Sequence, residues 1–207
     1  IMGTLKVDNL QKRDGTALIT NGAATVNLLS ESALRTTDVG MVKLLSTSGS
    51  AAANFQVDST YINSNYDNYH IDMGFLHATD NTGLNVTFIV GGSEVTSNYC
   101  YENGALTSST YGYDALGGSN MQIGGATGNA SGETARLTMT LSNVNSNTIA
   151  TFIHGFHYSS ANNGNTVGRV FQGGQDVNSY NGVVNGIKFA PGSGNITVSY
   201  FKLYGLT

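Results

Sequence analysis

The sequence predicts an all-β fold, an antiparallel, jelly-roll-like β-sandwich with an N-terminal arm or small appended sheet. Runs of β-branched and aromatic residues have the length of strands, and apolar and polar side chains alternate within them. The 27 glycines and frequent Asn-Gly pairs interrupt the chain too often for long helices. Charged residues are only 11% of the chain, and neutral Asn, Ser and Thr replace them, as suits short strands joined by turns.

The clearest predicted strands lie in the second half of the chain. Residues 135 to 141 alternate Leu137, Met139 and Leu141 with polar side chains, which is typical of a half-buried antiparallel strand. Four other segments are predicted to be strands because they are rich in β-branched and aromatic residues. They are residues 84 to 90, 149 to 156, 183 to 189 and 196 to 204.

The first part of the chain contains further strand candidates. They are residues 4 to 8, 16 to 20, 23 to 29, 54 to 58 and 69 to 76. Residues 31 to 45 carry Leu, Val and Met at mixed spacing, which leaves a short helix open there. Dipeptides that tolerate positive φ angles predict tight turns. They are Asp14-Gly15, Asn21-Gly22, Asn103-Gly104, Asn163-Gly164, Asn181-Gly182 and Asn185-Gly186.

Composition divides the chain into two parts. Residues 1 to 50 hold three of the five lysines and two of the four arginines, and we expect them to form an arm that serves docking or oligomerisation. Residues 51 to 207 are acidic and rich in Gly and Asn, and we expect them to form the β-sandwich domain. The predicted connector is the Ser- and Ala-rich segment of residues 46 to 53.

The distribution of charge and apolar residues excludes several classes of partner. Between Lys43 and Lys188 there are nine acidic side chains and two cations, Arg136 and Arg169, whereas nucleic-acid binding needs clustered Lys and Arg. No stretch reaches the roughly 18 apolar residues of a transmembrane helix, and no signal-peptide pattern begins the chain. We therefore expect no nucleic-acid partner and no membrane insertion. Cys100, the single cysteine, is interpreted as a small buried residue.

No local pattern indicates catalysis, a metal site or a cofactor. The four histidines are interpreted as structural or solvated, and His154 and His157 should face opposite sides of a strand. Acidic residues that could supply a glycosidase pair lie in loop-rich segments and are interpreted as turn formers. They are Asp67, Asp72, Asp80, Glu102 and Asp114. We expect no enzymatic activity and no cofactor, and the sequence leaves open whether the acidic loops hold Ca²⁺.

Paired tyrosines are the candidate recognition site. Tyr99 with Tyr101, and Tyr111 with Tyr113, have equal parity and lie beside polar residues that include Asp114. Aromatic faces next to carboxylates and amides can bind sugar rings, which makes these five residues a candidate glycan site. The alternative interpretation places the tyrosines in the sandwich core or at a subunit interface.

Segments spread over nearly the whole chain resemble virion structural and tail-fibre-like proteins of tailed phages, particularly marine and cyanobacterial phages. The resembling segments are residues 2 to 24, YDNYHID at 66 to 72, ATDN at 78 to 81, GNASGE at 128 to 133, VNGIKF at 184 to 189, SGNIT at 193 to 197 and the closing FKLYG at 201 to 205. The resemblance implies a β-sandwich on the outer surface of the virion, forming a homo-oligomer, expected to be a trimer, without enzymatic activity. It transfers no catalytic residue.

The final strand supplies a candidate packing face. Phe201 and Leu203 share one face of the strand, while Tyr200, Lys202 and Tyr204 share the other. We expect this second, aromatic face to contact another subunit or the arm. The glycines at 128, 132 and 194 are interpreted as turns, and Asn185-Gly186 as a hairpin.

Three functions follow as hypotheses. The first is a tail-fibre-like protein whose loops bind the host surface, with other virion proteins and a host glycan as partners. The second is a capsid decoration protein that stabilises the head, which the short chain favours. The third, least supported, is a glycan depolymerase, for which the sequence offers no recognisable pair of acids.

Overall fold

The computed structural model describes residues 10–11, 17–20, 23–24, 40–105, 112–130, 132–160, 166–176 and 182–207. All regular structure in these residues is antiparallel β-sheet, which confirms the predicted all-β, sandwich-like fold. The chain divides into two compact units, Ile1–Val42 with Thr207 and Lys43–Leu206. The first unit is shorter than the predicted N-terminal part of residues 1 to 50. No helix long and apolar enough to cross a membrane occurs in the described ranges.

The first unit contains a small three-stranded sheet. Its strands are β1 (Leu10–Gln11), β2 (Ala17–Thr20) and β3 (Ala23–Ala24), paired in that order. β2 confirms the strand predicted at residues 16 to 20, and β3 confirms the start of the one predicted at 23 to 29. The strand predicted at residues 4 to 8 and the turns at Asp14-Gly15 and Asn21-Gly22 lie outside the described residues.

The remaining strands of the described residues follow from Met41 onward. They are β4 (Met41–Ala52), β5 (Phe55–Val57), β6 (Asn68–His77), β7 (Leu84–Val90), β8 (Ser93–Glu94), β9 (Tyr99–Ala105), β10 (Gly112–Gly118), β11 (Met121–Gln122), β12 (Ala135–Ser142), β13 (Phe152–Ser160), β14 (Thr166–Gln175), β15 (Val184–Pro191) and β16 (Ile196–Leu206). One sheet has eight strands in the order β10-β9-β14-β13-β12-β6-β16-β4. The other has the order β11-β7-β15-β5, and β8 pairs with β7.

The core lies between these two sheets. Ring contacts join their facing surfaces, because Phe189 of β15 lies 6.1 Å from Phe201 of β16, and Phe88 of β7 lies 5.7 Å from Tyr99 of β9. The alternation predicted for residues 135 to 141 is confirmed, since every apolar side chain of that run is buried. One face of the eight-stranded sheet is therefore core and the other is the outer face.

Strand β4 corrects two expectations. Residues 46 to 53 do not form a connector, because β4 runs through residues 46 to 52 as the edge of the eight-stranded sheet beside β16. Residues 41 to 45 are likewise strand and not helix, while residues 31 to 39 lie outside the described part. Pairing with β16 supplies backbone hydrogen bonds that composition alone does not reveal.

Two predicted turns lie inside strands. Asn103-Gly104 is part of β9, and Asn185-Gly186 is part of β15, where the register with β7 shifts at a bulge. A Cβ atom at residue 186 would lie 2.8 Å from the carbonyl oxygen of Val57, so glycine permits the close approach of β5. Conversely, Gly132 and Gly194 have φ angles of 90° and 72°, which confirms turns there. The pair Asn163-Gly164 and Asn181 lie outside the described residues.

One strand begins later than predicted. The strand expected at residues 149 to 156 is β13, which starts at Phe152. A local turn precedes it, because the Ser146 hydroxyl accepts hydrogen bonds from the backbone nitrogens of Thr148 at 3.2 Å and Ile149 at 2.7 Å. Such side-chain bonds compete with strand pairing.

Candidate functional site

Strand β13 presents a row of aromatic rings on the outer face of the eight-stranded sheet. Phe152, Phe156 and Tyr158 are 42%, 47% and 50% exposed, whereas Ile153 and His157 between them are fully buried. Strand geometry explains this, because alternate side chains point to opposite faces. Large exposed rings in one row are unusual on a soluble surface and commonly mark a binding site.

Small residues opposite the rings create a groove. Gly174 of β14 pairs with Phe152, and Gly104 of β9 pairs with Val170, which itself pairs with Phe156. Gly104 lines the groove and has no side chain to fill the space beside Val170 and Phe156. Two adjoining hollows of about 310 Å³ and 300 Å³ result. We call this site the outer groove, defined by Cys100, Glu102, Gly104, Phe152, His154, Phe156, Val170 and Gln172.

A polar row crosses the middle of the outer groove. His154, Gln172 and Glu102 lie directly opposite one another on β13, β14 and β9. The side-chain nitrogen Nε2 of Gln172 donates a hydrogen bond to Oε2 of Glu102 at 3.0 Å. His154 also stacks on Phe152, with ring centroids 6.2 Å apart. The groove thus combines flat apolar surfaces with a carboxylate, an amide and an imidazole.

The strand that carries Glu102 is anchored from its other face. Nδ2 of Asn103 donates to the backbone oxygen of Gln122 at 2.8 Å, and Nη1 of Arg169 donates to Oδ1 of Asn103 at 3.0 Å. These bonds tie β9 to β11 and β14. The carboxylate of Glu102 is therefore held on a backbone fixed by neighbouring strands, which suits a preformed binding site.

A second cluster lies on the same outer face, on β6, β12 and β16. The hydroxyl of Tyr200 accepts a hydrogen bond from Nε of Arg136 at 2.8 Å and donates one to Oδ1 of Asp72 at 3.1 Å. Arg136 and Lys202 each lie 5.6 Å from the centre of the Tyr200 ring. Burial raises the pKa of Tyr200, against the opposing effect of the Arg136 hydrogen bond. The charged side chains of this cluster therefore have interaction partners within the chain.

Strand β16 has the two different faces that the sequence predicts. Phe201 and Leu203 are fully buried, while Tyr200, Lys202 and Tyr204 are half-buried on the opposite side of β16. Tyr204 lies 6.1 Å from the ring of His70 on β6. The face therefore has neighbours within the chain, and its contact with another subunit or with the arm stays a prediction.

The five residues of the predicted glycan site do not form one surface in the described structure. Tyr99 is fully buried, and its hydroxyl accepts a hydrogen bond from the Phe88 nitrogen at 2.7 Å and donates one to the Val95 oxygen at 3.0 Å. The interpretation of Tyr99 as a ligand-binding residue is therefore wrong, and the alternative placement in the core is correct. Tyr101 is half-buried on β9.

Two of the other three residues of that predicted site, Tyr113 and Asp114, are on β10. Tyr113 pairs with Glu102, and Asp114 pairs with Tyr101, in the register of β10 and β9. Tyr111 lies outside the described residues. The backbone of β10 thus borders the strand that carries Glu102, and the part of these three residues in binding stays a prediction.

Cys100 and the outer-groove residues were not anticipated as a site. Cys100 is half-buried and lines the outer groove, so its interpretation as a buried core residue is wrong. The sequence contains one signal for the groove, the alternation of Phe152, His154, Phe156 and Tyr158 at every second position. Their partners on β9 and β14 come from distant parts of the chain, which this local pattern does not identify.

Two histidines lie in the core on the opposite face of the same sheet. His157 is fully buried and His77 nearly so, and no ring nitrogen of either has a hydrogen-bond partner among the described residues. Burial lowers the pKa of each to about 4. His154, by contrast, is exposed, which confirms that His154 and His157 face opposite sides of their strand. No group of three or more His, Cys, Asp or Glu residues that could hold a metal occurs in the described ranges.

No protein-family model matches the chain, and no curated protein matches it at a significant level. The chemistry of the outer groove is therefore the main indication of function.

Proposed function

We propose that this chain is a non-enzymatic β-sandwich of the outer surface of a tailed-phage virion, tail-fibre-like in role, and that its outer groove binds host-surface glycan. The exposed rings of β13 beside the Glu102–Gln172 pair carry the proposal. The groove replaces the paired tyrosines as the site of recognition. Its volume of about 310 Å³ in the larger hollow fits one or two sugar rings.

The side chains of the outer groove match the chemistry of a sugar. One face of a pyranose ring carries C–H groups that cover an aromatic ring, and Phe156 offers such a ring at 47% exposure. The hydroxyl groups at the edge of a sugar need hydrogen-bond acceptors and donors, which Gln172 supplies one strand and Glu102 two strands away from β13. A flat apolar surface beside a polar row suits this amphipathic ligand.

The same geometry favours binding over hydrolysis. Glycosidases use two carboxyl groups about 5 to 9.5 Å apart, on either side of the bond that is cleaved. Among the described residues, Glu102 is the single carboxylate that lines the groove, and it already accepts a hydrogen bond from Gln172. A single carboxylate can accept hydrogen bonds from a ligand, whereas glycoside hydrolysis needs a second carboxyl group beside it.

The role on the virion rests on the resemblance to tailed-phage structural proteins. A shallow groove of this size binds a single glycan weakly, but several copies on one particle bind a cell surface together. An oligomer, expected to be a trimer, would present three grooves. Avidity then supplies attachment strength that a single site lacks.

An adsorption-blocking assay tests the proposal. The purified protein should reduce phage adsorption to host cells, and Phe156→Ala should weaken this competition about tenfold because it removes the exposed ring. Ile149→Ala is the matched control, since Ile149 is 59% exposed and does not line the groove. Equal competition by both variants would contradict the groove as the attachment site. Particles that lack the protein yet adsorb normally would favour a head-stabilising decoration role instead.

A further inference from the structure

We infer that the outer groove selects neutral glycans and rejects those that carry carboxylate, sulfate or phosphate groups. This inference rests on the proposed function and names the substrate class of the same site. It makes Glu102 a specificity-determining residue as well as a hydrogen-bond acceptor. Two independent features of the groove support it, the placement of the cationic side chains and the balance of hydrogen-bond donors and acceptors.

No cationic side chain of the described residues lines the groove. Arg136, on β12 opposite Tyr158, donates from Nε to the Tyr200 hydroxyl, and Lys202 flanks the same ring from β16. Arg169 bonds to Asn103 on the core side of the sheet. Lys188 forms an ion pair with Glu94 on the other sheet. Lys43 is on the edge strand β4, four strands from β13 and five from β14 in the sheet order. Proteins that bind acidic sugars or phosphates use Arg or Lys for this purpose.

The hydrogen-bonding groups of the groove also favour sugar hydroxyls over acidic groups. An ionised carboxylate such as Glu102 only accepts, and its two oxygens have about four acceptor positions. Gln172 occupies one of them through Nε2. A hydroxyl can donate to the others, whereas a carboxylate or sulfate on the ligand has no proton to donate and is repelled by the negative charge. The surrounding stretch of the chain, with nine acids and two cations between Lys43 and Lys188, adds repulsion at longer range.

The test compares neutral and acidic oligosaccharides on one glycan array. The neutral probes are cellohexaose and chitohexaose, and the acidic probes are hexagalacturonic acid and sialyllactose, all at pH 8, above the ordinary titration range of imidazole groups. The proteins are the full chain, Glu102→Gln and a control with the same change of net charge, Asp80→Asn. Asp80 lies in the loop between β6 and β7, outside the groove. Each protein is measured at low and at high salt.

The full chain should bind at least one neutral probe and bind the acidic probes about tenfold more weakly or not at all. Glu102→Gln should raise acidic-probe binding about fivefold to tenfold, and Asp80→Asn should not, because only Glu102 lies at the site. High salt should reduce the difference in binding between neutral and acidic probes, because it screens the electrostatic repulsion. Acidic probes that bind as well as neutral ones would overturn the inference and leave the proposed function intact. Binding to no glycan, with no competition for adsorption, would overturn the proposed function itself.

Discussion

Phe75 and His157 stack in the core, with ring centroids 5.8 Å apart and planes inclined by 29°. Phe75 also contacts His77 edge-on at 5.2 Å, so one phenyl ring separates two buried imidazoles. Burial, assisted by the nearby charge of Arg169, lowers the pKa of His157 to about 4, and burial alone does the same for His77. The fold therefore requires both histidines to be neutral.

We predict that His77 and His157 make the folded protein less stable at acidic pH. Unfolded histidine binds a proton near pH 6.5, whereas the folded chain resists protonation until about pH 4. The free energy of unfolding should therefore be greatest above pH 6.5 and fall as the pH drops toward 4, by about 3 kcal/mol for His157. Urea unfolding at a series of pH values measures this change in the free energy of unfolding.

Substitution separates this effect from general acid denaturation. His157→Leu should make the curve less steep between pH 6.5 and 4 without flattening it, because His77 still contributes. Ile149→Ala, at an exposed position without a titratable group, should leave the curve unchanged. An unaltered slope in His157→Leu would show that other groups cause the loss.

The buried hydroxyl of Tyr99 should contribute measurably to stability. Tyr99→Phe removes the acceptor of the Phe88 nitrogen and the donor to the Val95 oxygen, and leaves both backbone groups unpaired. We expect a cost of about 1–3 kcal/mol in the free energy of unfolding. Tyr158→Phe, at a hydroxyl on the exposed face, should cost less than about 0.5 kcal/mol. Chemical denaturation of the two variants checks this, and equal costs would contradict the core placement of Tyr99.

Gly74 and Tyr200 should be energetically coupled. They are opposite partners on β6 and β16, and a Cβ atom at residue 74 would overlap the Tyr200 ring. Gly74→Ala should therefore displace the ring from Arg136 and Asp72 and cost about 1–3 kcal/mol. In a Tyr200→Ala background the same change should cost less, because only the Ser199 hydroxyl oxygen, 2.8 Å from the same Cβ position, would then have to move. A double-mutant cycle of unfolding free energies that gives no coupling would be inconsistent with the ring lying over the glycine.

The oligomeric state is a prediction from the resemblance to virion proteins. Light scattering of the purified chain at micromolar concentration should give three times the mass of one 21.7 kDa chain. Tyr204→Glu would place a charge on the face predicted to contact another subunit and should shift the population toward monomer. A monomer for the unaltered chain would exclude the trimer at this concentration.

The sequence predicts many of the strands because the alternation of apolar and polar side chains is a property of neighbouring residues. The strand at residues 135 to 141 shows this, since its apolar side chains are buried as β12. Turns were predicted less well because Asn-Gly pairs have a local preference that long-range pairing overrides. Gly186 lies in a bulge, where the approach of β5 and not a reversal of the chain requires glycine.

The candidate site depended on contacts that no local pattern contains. The alternation of rings in β13 is visible in the sequence, but the groove also depends on Gly104 of β9, which lies opposite the Val170 that pairs with Phe156. The same kind of local alternation predicts a binding site at the tyrosine pairs, and this prediction is wrong for Tyr99. Tyr99 and Tyr101 have equal parity in the sequence, but parity does not decide which face of a strand is core.

Mapping a bound glycan onto the sheet tests the proposed site most directly. The tightest neutral oligosaccharide from the array is titrated into isotope-labelled protein while backbone and side-chain chemical shifts are recorded. We predict the largest changes at Glu102, His154, Phe156 and Gln172, without cleavage of the oligosaccharide. Changes confined to other surfaces, such as the cluster around Tyr200, or the appearance of new reducing ends, would contradict a non-catalytic glycan site in the outer groove.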